Sequence, residues 1–362
     1  MSDWNFQWIT DWSEVWDPAF GGLWRELLDR SATAHVFYEP SLTKAWTNTY
    51  REMVTLEPYF VLGRHASGAE ALLPLVKMRC GWRGAWLRTV GPVGANEFDY
   101  HDPIATDGLG EKDWIGFWSG IDVELCKVAD RYDYFVIQGV RASFTGSSDR
   151  FMPKGVAPFC DLSKFGSVER LLATRSRNLR HNLRRTDRRL REAGEVRLRI
   201  FSASEVEAAL AGLADFLQAH ESRWRHAYRA PGWYENLIRE TLPTGLLHLS
   251  AIELEGRAVS WHFGFIHKKR FYCYVSAYDN SLADFSPGQI HLHRLIEEAY
   301  RLGATMFDFL RGEEWYKSEW TEMRMQLFGY ESLTPGLGTL SKTKLRDLLY
   351  QTAKLLRYKR SS

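Results

Sequence analysis

Phe307-Asp308-Phe309-Leu310-Arg311-Gly312-Glu313-Glu314-Trp315-Tyr316-Lys317-Ser318-Glu319-Trp320 changes character abruptly partway along. The mostly apolar run from Met306 to Leu310 reads as a buried strand, and it stops at a dense set of ionisable and aromatic side chains. A rigid sheet aims side chains from its strand ends into a crevice, so this transition marks a candidate site. Tyr316 can donate a proton to a departing anion, and Lys317 can hold a phosphate or carboxylate. Glu313 or Glu314 can accept a proton from an amine. The competing reading is a solvated amphipathic helix in which Trp315 and Trp320 pack and the charges face water.

The strand closes a longer unit. Upstream lie strands at Leu246–Leu254, Arg257–His267 and Arg270–Ala277, a loop, a helix over Pro287–Leu302 and the strand Thr305–Leu310. The same order occurs earlier, with strands at Tyr59–Gly63, Glu70–Met78 and Ala85–Val90, a helix over Asp113–Asp130 and a strand at Tyr134–Gln138. Short β-branched and aromatic runs bounded by Gly support the strands, and apolar recurrence at three and four supports the helices. Two copies of strands, helix and strand point to an internal duplication by pattern, with negligible residue identity. After Ser204, a capping-box pattern with Glu207 leads into Val206, Leu210, Leu213, Leu217 and His220 on one face.

Between the copies a helix is expected over Val168–Ala193. Eight arginines and His181 stand between Arg175 and Arg191 against one acid, Asp187, while Leu172, Leu179, Leu183 and Leu190 form an apolar stripe. Gly194 ends it. The tail from Lys342 to Arg360 carries seven Lys and Arg against Asp347, with leucines on one side. Both segments are candidate faces for an anionic membrane surface or a nucleotide; the competing readings are a linker helix with a solvated basic face and, for the tail, leucines docked on the second domain. No groove-reading motif accompanies them, so nucleic acid is a minor reading.

The loop before the second long helix reads Ser286-Pro287-Gly288-Gln289. A helix amino terminus with a glycine can hold a pyrophosphate on unpaired N–H groups. Plain capping, with Ser286 as N-cap and Gln289 returning to it, is the alternative. The equivalent loop of the first copy, Gly108-Leu109-Gly110-Glu111-Lys112-Asp113, places two acids at the helix start, which would repel phosphate. An anionic cofactor is therefore expected in the second copy. His262 lies in the strand Trp261-His262-Phe263-Gly264-Phe265 and ranks third among candidate bases, since a lone strand histidine more often packs than reacts.

At 362 residues, two domains are the natural expectation. With 45% hydrophobic and 25% charged residues and no apolar run of membrane-spanning length, the composition reads as soluble. Met1–Trp12 has no basic region followed by an apolar one, so it is not read as a signal peptide. Cys80, Cys126, Cys160 and Cys273 lie far apart without ligand spacing, which points to reduced thiols, a cytoplasmic setting and no metal.

Tyr274-Val275-Ser276-Ala277-Tyr278-Asp279, Ser286-Pro287-Gly288, Phe307 to Glu313, and Tyr316-Lys317 with Trp320 together resemble the carboxy-terminal signature of CelD/BcsL-type acetyltransferases. These belong to the GNAT superfamily and are associated with bacterial polysaccharide synthesis. Ser176-Arg177-Asn178-Leu179-Arg180, followed by Arg184-Arg185 and Gly194, is similar to that family's central helix. The resemblance covers about Phe159 to Gly329, and it relates the chain to FemAB-like proteins, which carry two GNAT-like domains in tandem. It implies an acetyl-CoA (or other acyl-CoA) donor, an amine acceptor on a sugar and direct attack in a ternary complex. Carried onto these residues, Tyr316 is the acid, Glu313 or Asp279 the base, and Ser286, Pro287, Gly288 and Gln289 the cofactor cradle. Asp308, Arg311, Lys317, Trp320, His262 and Tyr278 are then acceptor contacts. The fuller Gln/Arg-x-x-Gly-x-Gly/Ala loop of ordinary GNAT enzymes is reduced here to Gly288.

The expected architecture is α+β: two tandem GNAT-like domains, each a mixed, mostly antiparallel sheet flanked by helices, joined by a basic helix. The divisions fall at 1–162, 163–333 and a basic amphipathic tail, 334–362. The expected activity is N-acetylation of an amino sugar or lipid-linked precursor for exopolysaccharide, capsule or adhesin, in the cytoplasm or at the inner face of the cell membrane. A FemAB-like aminoacyl ligase and a non-catalytic nucleotide- or lipid-sensing module are the alternatives.

Overall fold

The computed structural model describes residues 3–79, 86–127, 132–223, 230–333 and 344–345, and the chain divides into two units. Unit 1 takes the described residues of Met1–Lys154 and those from Leu327 onward, and unit 2 is Gly155–Gln326. The sequence places its divisions instead at 162 and 333. The tail helix and Cys80 lie outside the described residues, apart from residues 344 and 345 of the tail.

Unit 1 contains β1 (Trp4–Ile9), α1 (Trp12–Val15), α2 (Pro18–Arg30), α3 (Pro40–Tyr50), β2 (Thr55–Pro58), β3 (Phe60–His65), β4 (Glu70–Leu73) and β5 (Leu75–Arg79). It continues with β6 (Arg88–Pro92), β7 (Ile104–Ala105), α4 (Glu111–Cys126) and β8 (Tyr134–Arg141). The chain goes on through β9 (Met152–Asp161), α5 (Val168–Ala173), α6 (Arg177–Glu192), β10 (Val196–Ile200), α7 (Val206–Ala211), α8 (Leu213–Arg223) and α9 (Trp233–Thr241). Then come β11 (Leu247–Leu254), β12 (Arg257–His267), β13 (Arg270–Tyr278), α10 (Pro287–Arg301), β14 (Met306–Asp308), α11 (Trp315–Trp320) and β15 (Arg324–Leu333).

Each unit repeats one plan. In unit 1, β5 and β6 are antiparallel, α4 crosses over, and β8 returns parallel to β6. In unit 2, β11, β12 and β13 form an antiparallel meander, α10 crosses over, and β14 returns parallel to β13. A parallel return needs a crossover of this length, which the long helices supply. The terminal strands are exchanged relative to chain order. Leu327–Leu333 of β15, which follows α11, pairs antiparallel with β8. Phe159–Asp161 of β9, which follows β8, pairs antiparallel with β14.

Several local expectations are corrected. The strand expected over Glu70–Met78 breaks at Pro74, which has no N–H for a ladder. The arginine-rich helix is two helices, because Ser176 caps a fresh start by accepting from the Leu179 N–H at 3.1 Å. The helix after Ser204 breaks at Gly212, and its buried face is Ala209, Phe216, Ala219 and His220. Ser204 does not cap it; Glu205 turns back to the Ser202 N–H and hydroxyl, each at 2.8 Å. The strand expected over Thr305–Leu310 is shorter, Met306–Asp308, because Leu310 takes a left-handed φ of 59°.

The basic helix α6 is part of unit 2 rather than a free linker. Leu179 and Leu183 join the core with Leu292, Leu295 and Ile296 of α10, and Leu190 joins Ile252, Val259 and Ile290. Each buried leucine contributes roughly 1.5–3 kcal/mol, enough to dock a helix whose outer face is charged.

Candidate active site

β13 and β14 pair only from Arg270↔Met306 to Tyr272↔Asp308. Beyond that point the strands part, and β13 continues to Tyr278 with β12 as its ladder partner. A cavity of about 170 Å3 opens at the parting, lined by β12, β13, the start of α10 and the start of α11. His262 comes from β12, Cys273, Ser276 and Tyr278 from β13, and Gly288, Gln289, His291, Leu292 and Leu295 from α10. Ala283, Ser286, Trp315 and Tyr316 complete the lining.

Strand register explains which side chains meet there. His262 pairs with Ser276 and Gly264 with Cys273, so Tyr274 is an extra residue in β13. Directly paired residues share a face, and the bulge at Tyr274 puts Cys273 and Ser276 on the same side despite their odd spacing. On α10, positions 288, 291, 292 and 295 recur at three and four, the spacing of one helix face.

Two histidines in this wall differ in their hydrogen bonding. The Ser260 hydroxyl donates to the Ala277 carbonyl at 3.3 Å, so it accepts from His291 Nδ1–H at 3.0 Å. His291 Nε2 then accepts from the Ser250 hydroxyl at 3.0 Å. Both His291 nitrogens are thus engaged, and burial together with His248 pushes its pKa down to about 3. His262 is fully buried, yet neither of its ring nitrogens has a hydrogen-bond partner among the described residues. Burial first, and then His291 and His248, hold its pKa well below the usual value. His262 is neutral and contributes to the cavity lining, with both ring nitrogens shielded from solvent. Cys273 offers no competing nucleophile, because burial pushes its thiol up to about 12.

The start of α10 also departs from plain capping. Ser286 lies in the left-handed region (φ 50°, ψ 50°), its side chain caps nothing, and no acid stands in the first turn. The Gln289 and Ile290 N–H groups both bond to the Ser286 carbonyl, and Pro287 has none, which leaves the Gly288 N–H for an anion. At α4, by contrast, Glu111 and Asp113 occupy the first turn and Asp113 accepts from the Gly110 N–H at 2.8 Å. The electropositive, open helix end is the one beside the cavity. The Gln289 side chain does not return to Ser286; it donates to Glu319 at 3.2 Å and accepts from Trp320 Nε1 at 3.5 Å.

Of the residues singled out in the sequence, the cavity brings together Tyr316, Ser286, Gly288, Gln289, His262 and Tyr278. Pro287 is buried as the first residue of α10. The others stand elsewhere. Glu313 is exposed, pairs with Arg324 at 3.0 Å and borders a separate cavity of about 20 Å3. Asp279 accepts from the Ser281 N–H at 2.9 Å and its hydroxyl at 2.6 Å, and from Arg257 at 3.0 Å; these bonds lower its pKa. A base must reach the reacting proton, and neither carboxylate lines the cavity.

Asp308 is fully buried, accepts from the Leu310 N–H at 2.9 Å and lies 3.7 Å from Arg270. Lys317 is buried as well. Its ammonium donates to the carbonyls of Leu310, Arg311 and Gly312 at 3.3, 2.9 and 3.5 Å and pairs with Glu314 at 2.8 Å. It staples the turn after β14 and has no reach for a substrate anion. Gly312 makes that turn possible, since its φ of 118° is one that L side chains rarely adopt. Trp320 is a core residue, and Arg311 is exposed outside the cavity lining.

Sequence reading missed Cys273, Ser276, His291, Leu292, Leu295, Ala283 and Trp315. Helical spacing from Gly288 identifies the α10 members, whereas Cys273 depends on a bulge that no motif announces. Trp315 is 72% exposed at the cavity, an apolar platform in contact with water.

Residues 177–318 match the family model described as acetyltransferase (GNAT) domain. No curated protein sequence matches the chain. The FemX crystal structure is similar with a TM-score of 0.57 at 11% identity, over 86% of this chain and 95% of FemX. The C-terminal DUF2156 domain of an Agrobacterium fabrum protein, named for lysylphosphatidylglycerol synthesis, gives 0.54 at 12% identity, over 90% and 97%. A conserved Bacteroides thetaiotaomicron protein gives 0.52 at 12% identity, over 86% and 97%. At these identities the likeness is one of fold. No described helix is long and apolar enough to cross a membrane. The repeated sheet-and-crossover plan is a tandem GNAT-like fold, and residues 177–318 are similar to the GNAT acetyltransferase domain.

Proposed function

We propose that the chain is an acyl-CoA-dependent N-acetyltransferase whose acceptor is an amino sugar or a lipid-linked sugar precursor in bacterial exopolysaccharide, capsule or adhesin synthesis. One observation carries the reading: His262, buried and neutral with both ring nitrogens unpartnered, lines the same cavity as Tyr316 at the parting of β13 and β14. The residues fit the donor. Ser286 and Gly288 lie at an uncapped helix start beside the cavity, and Gln289, Leu292 and Leu295 offer a polar edge and an apolar wall. Acetyl-CoA, when bound, supplies an acyl group activated as a thioester.

The chain's residues manage protons. His262 accepts the proton of the attacking amine, and a weak base suffices because that nitrogen becomes strongly acidic as it bonds to carbon. Tyr316 donates a proton to the leaving sulfur as the acyl–sulfur bond breaks. The unpaired edge of β13 beyond Tyr272 offers backbone N–H groups to a developing oxyanion. Trp315, exposed at the cavity, suits stacking on a sugar ring. Glu313 and Asp279 have no part in this scheme.

The test is acceptor-dependent thiol release from acetyl-CoA by the full chain, with amino sugars and nucleotide-linked amino sugars as acceptors. Turnover with an amino sugar, lost when its amine is already acetylated, supports the reading. Turnover with aminoacyl-tRNA and none with acetyl-CoA overturns it.

A further inference from the structure

Unit 2 has a second cleft, between α5, α6 and α10, that shares no lining residue with the active-site cavity. It measures about 320 Å3. Leu172 and Leu183 form an apolar part of its lining, with Arg180 and Arg184 beside them and His293 and Arg294 from α10. Arg180 and Arg184 are one turn apart and so project from one side of α6.

The charges of α6 are unequally answered. Arg188 lies 3.5 Å from Glu192, and Arg191 lies 2.9 Å from Asp187. Arg294 is held by Asp187 at 3.1 Å and Glu297 at 2.8 Å, so Asp187 is engaged from both sides, while Glu169 of α5, the cleft's other lining acid, is exposed at its edge. Arg180 and Arg184 have no carboxylate within 4 Å among the described residues, and Arg180 Nε is shielded from solvent without a hydrogen-bond partner. Like charges one turn apart repel, and a shielded unpartnered donor is unfavourable, so folding alone gives no reason for this pair. His293 Nε2 is shielded from solvent without a hydrogen-bond partner, lies 3.8 Å from Glu297, and burial lowers its pKa. Guanidinium forks beside an apolar surface match a phosphate bidentately, with room for an attached body.

We propose that this cleft is a second ligand site, separate from the donor's, which binds a phosphate or diphosphate group whose attached body lies over Leu172 and Leu183. The inference does not rest on the reaction assigned to the first cavity. Nucleoside diphosphates and prenyl diphosphates share this chemistry, and the experiment separates them.

The full chain is titrated calorimetrically with pyrophosphate, uridine diphosphate, farnesyl diphosphate and, separately, acetyl-CoA. At least one diphosphate is expected to bind, and the doubly substituted Arg180→Gln/Arg184→Gln protein is expected to bind it at least tenfold more weakly. An unchanged melting temperature establishes that the variant is folded. Arg188→Gln, on the same helix but paired with Glu192, is expected to bind like wild type. Tighter binding of the uridine or the farnesyl compound names the source. Absence of binding by all three at millimolar concentration overturns the proposal, as does equal binding by the double variant. A parallel loss of acetyl-CoA affinity in the double variant also overturns it, because the cleft would then belong to the donor site.

Discussion

The imidazole of His262 lies over Gly264, so closely that a Cβ at Gly264 would stand 2.4 Å from Cε1 and 3.2 Å from Nδ1. Gly264 carries no unusual φ, so its requirement is space, for the ring and for the Tyr272 carbonyl of β13, which such a Cβ would meet at 2.7 Å. Gly264→Ala is therefore expected to turn His262 from its place and to strain the β12–β13 pairing. We expect kcat to fall at least tenfold together with a lowered melting temperature, measured by steady-state kinetics and thermal melting. Unchanged kcat would show that the ring's position does not matter.

The base assignment separates His262 from the carboxylates. His262→Gln keeps polarity but cannot take up a proton, and it is expected to lower kcat by about 10²–10⁴, the usual worth of a positioned base. Glu313→Gln and Asp279→Asn, measured alongside, are expected to stay within about twofold of wild type. If Glu313→Gln is the damaging change, the base lies on the α11 side after all.

Tyr316→Phe removes the proposed acid and leaves the ring that packs on the core. We expect kcat to drop by about 10²-fold with little change in acetyl-CoA affinity. Equal loss in both quantities would mark Tyr316 as a binding residue.

The buried histidines make unit 2 sensitive to acid. His291 has a pKa of about 3 when folded against an ordinary 6.5, so the unfolded chain binds a proton that the folded chain refuses. Its contribution is complete above pH 6.5 and is lost as pH falls from there toward 3. At pH 5 that amounts to ~2 kcal/mol for His291, and His262 adds in the same direction. Denaturant midpoints at pH 7.5 and pH 5 measure it, with a smaller difference expected for His291→Gln. An identical difference in the variant would contradict this origin.

Lys317 is expected to matter to folding more than to substrate binding. Lys317→Met strands three carbonyls and leaves Glu314 without its ammonium partner. The expected loss is about 2–4 kcal/mol in a denaturant titration. A stable variant with only a raised KM would restore Lys317 as a substrate ligand.

Much of unit 2's frame was legible because it is local. β12 matches its expected bounds, Arg257–His267, and α10 starts at the expected Pro287. Tyr316 and Gly288 were recognisable because strand ends and helix starts announce themselves in composition. The weight that the proposed mechanism places on His262 rests on burial, on the Tyr274 bulge and on ring nitrogens without hydrogen-bond partners among the described residues, all properties of the folded sheet that sequence does not display. Lys317 misled because an isolated lysine beside acids reads as solvated. The exchange of β9 and β15 had no local sign, since a strand's partner is chosen by contacts far away in the chain.

The central claim is that the cavity at the parting of β13 and β14 receives an acyl-CoA. Calorimetric titration of the full chain with acetyl-CoA tests it most directly. Saturable binding is predicted, weakened when Gly288→Asp places an acid at the open start of α10. No heat at millimolar acetyl-CoA, or binding that Gly288→Asp leaves untouched, would contradict it.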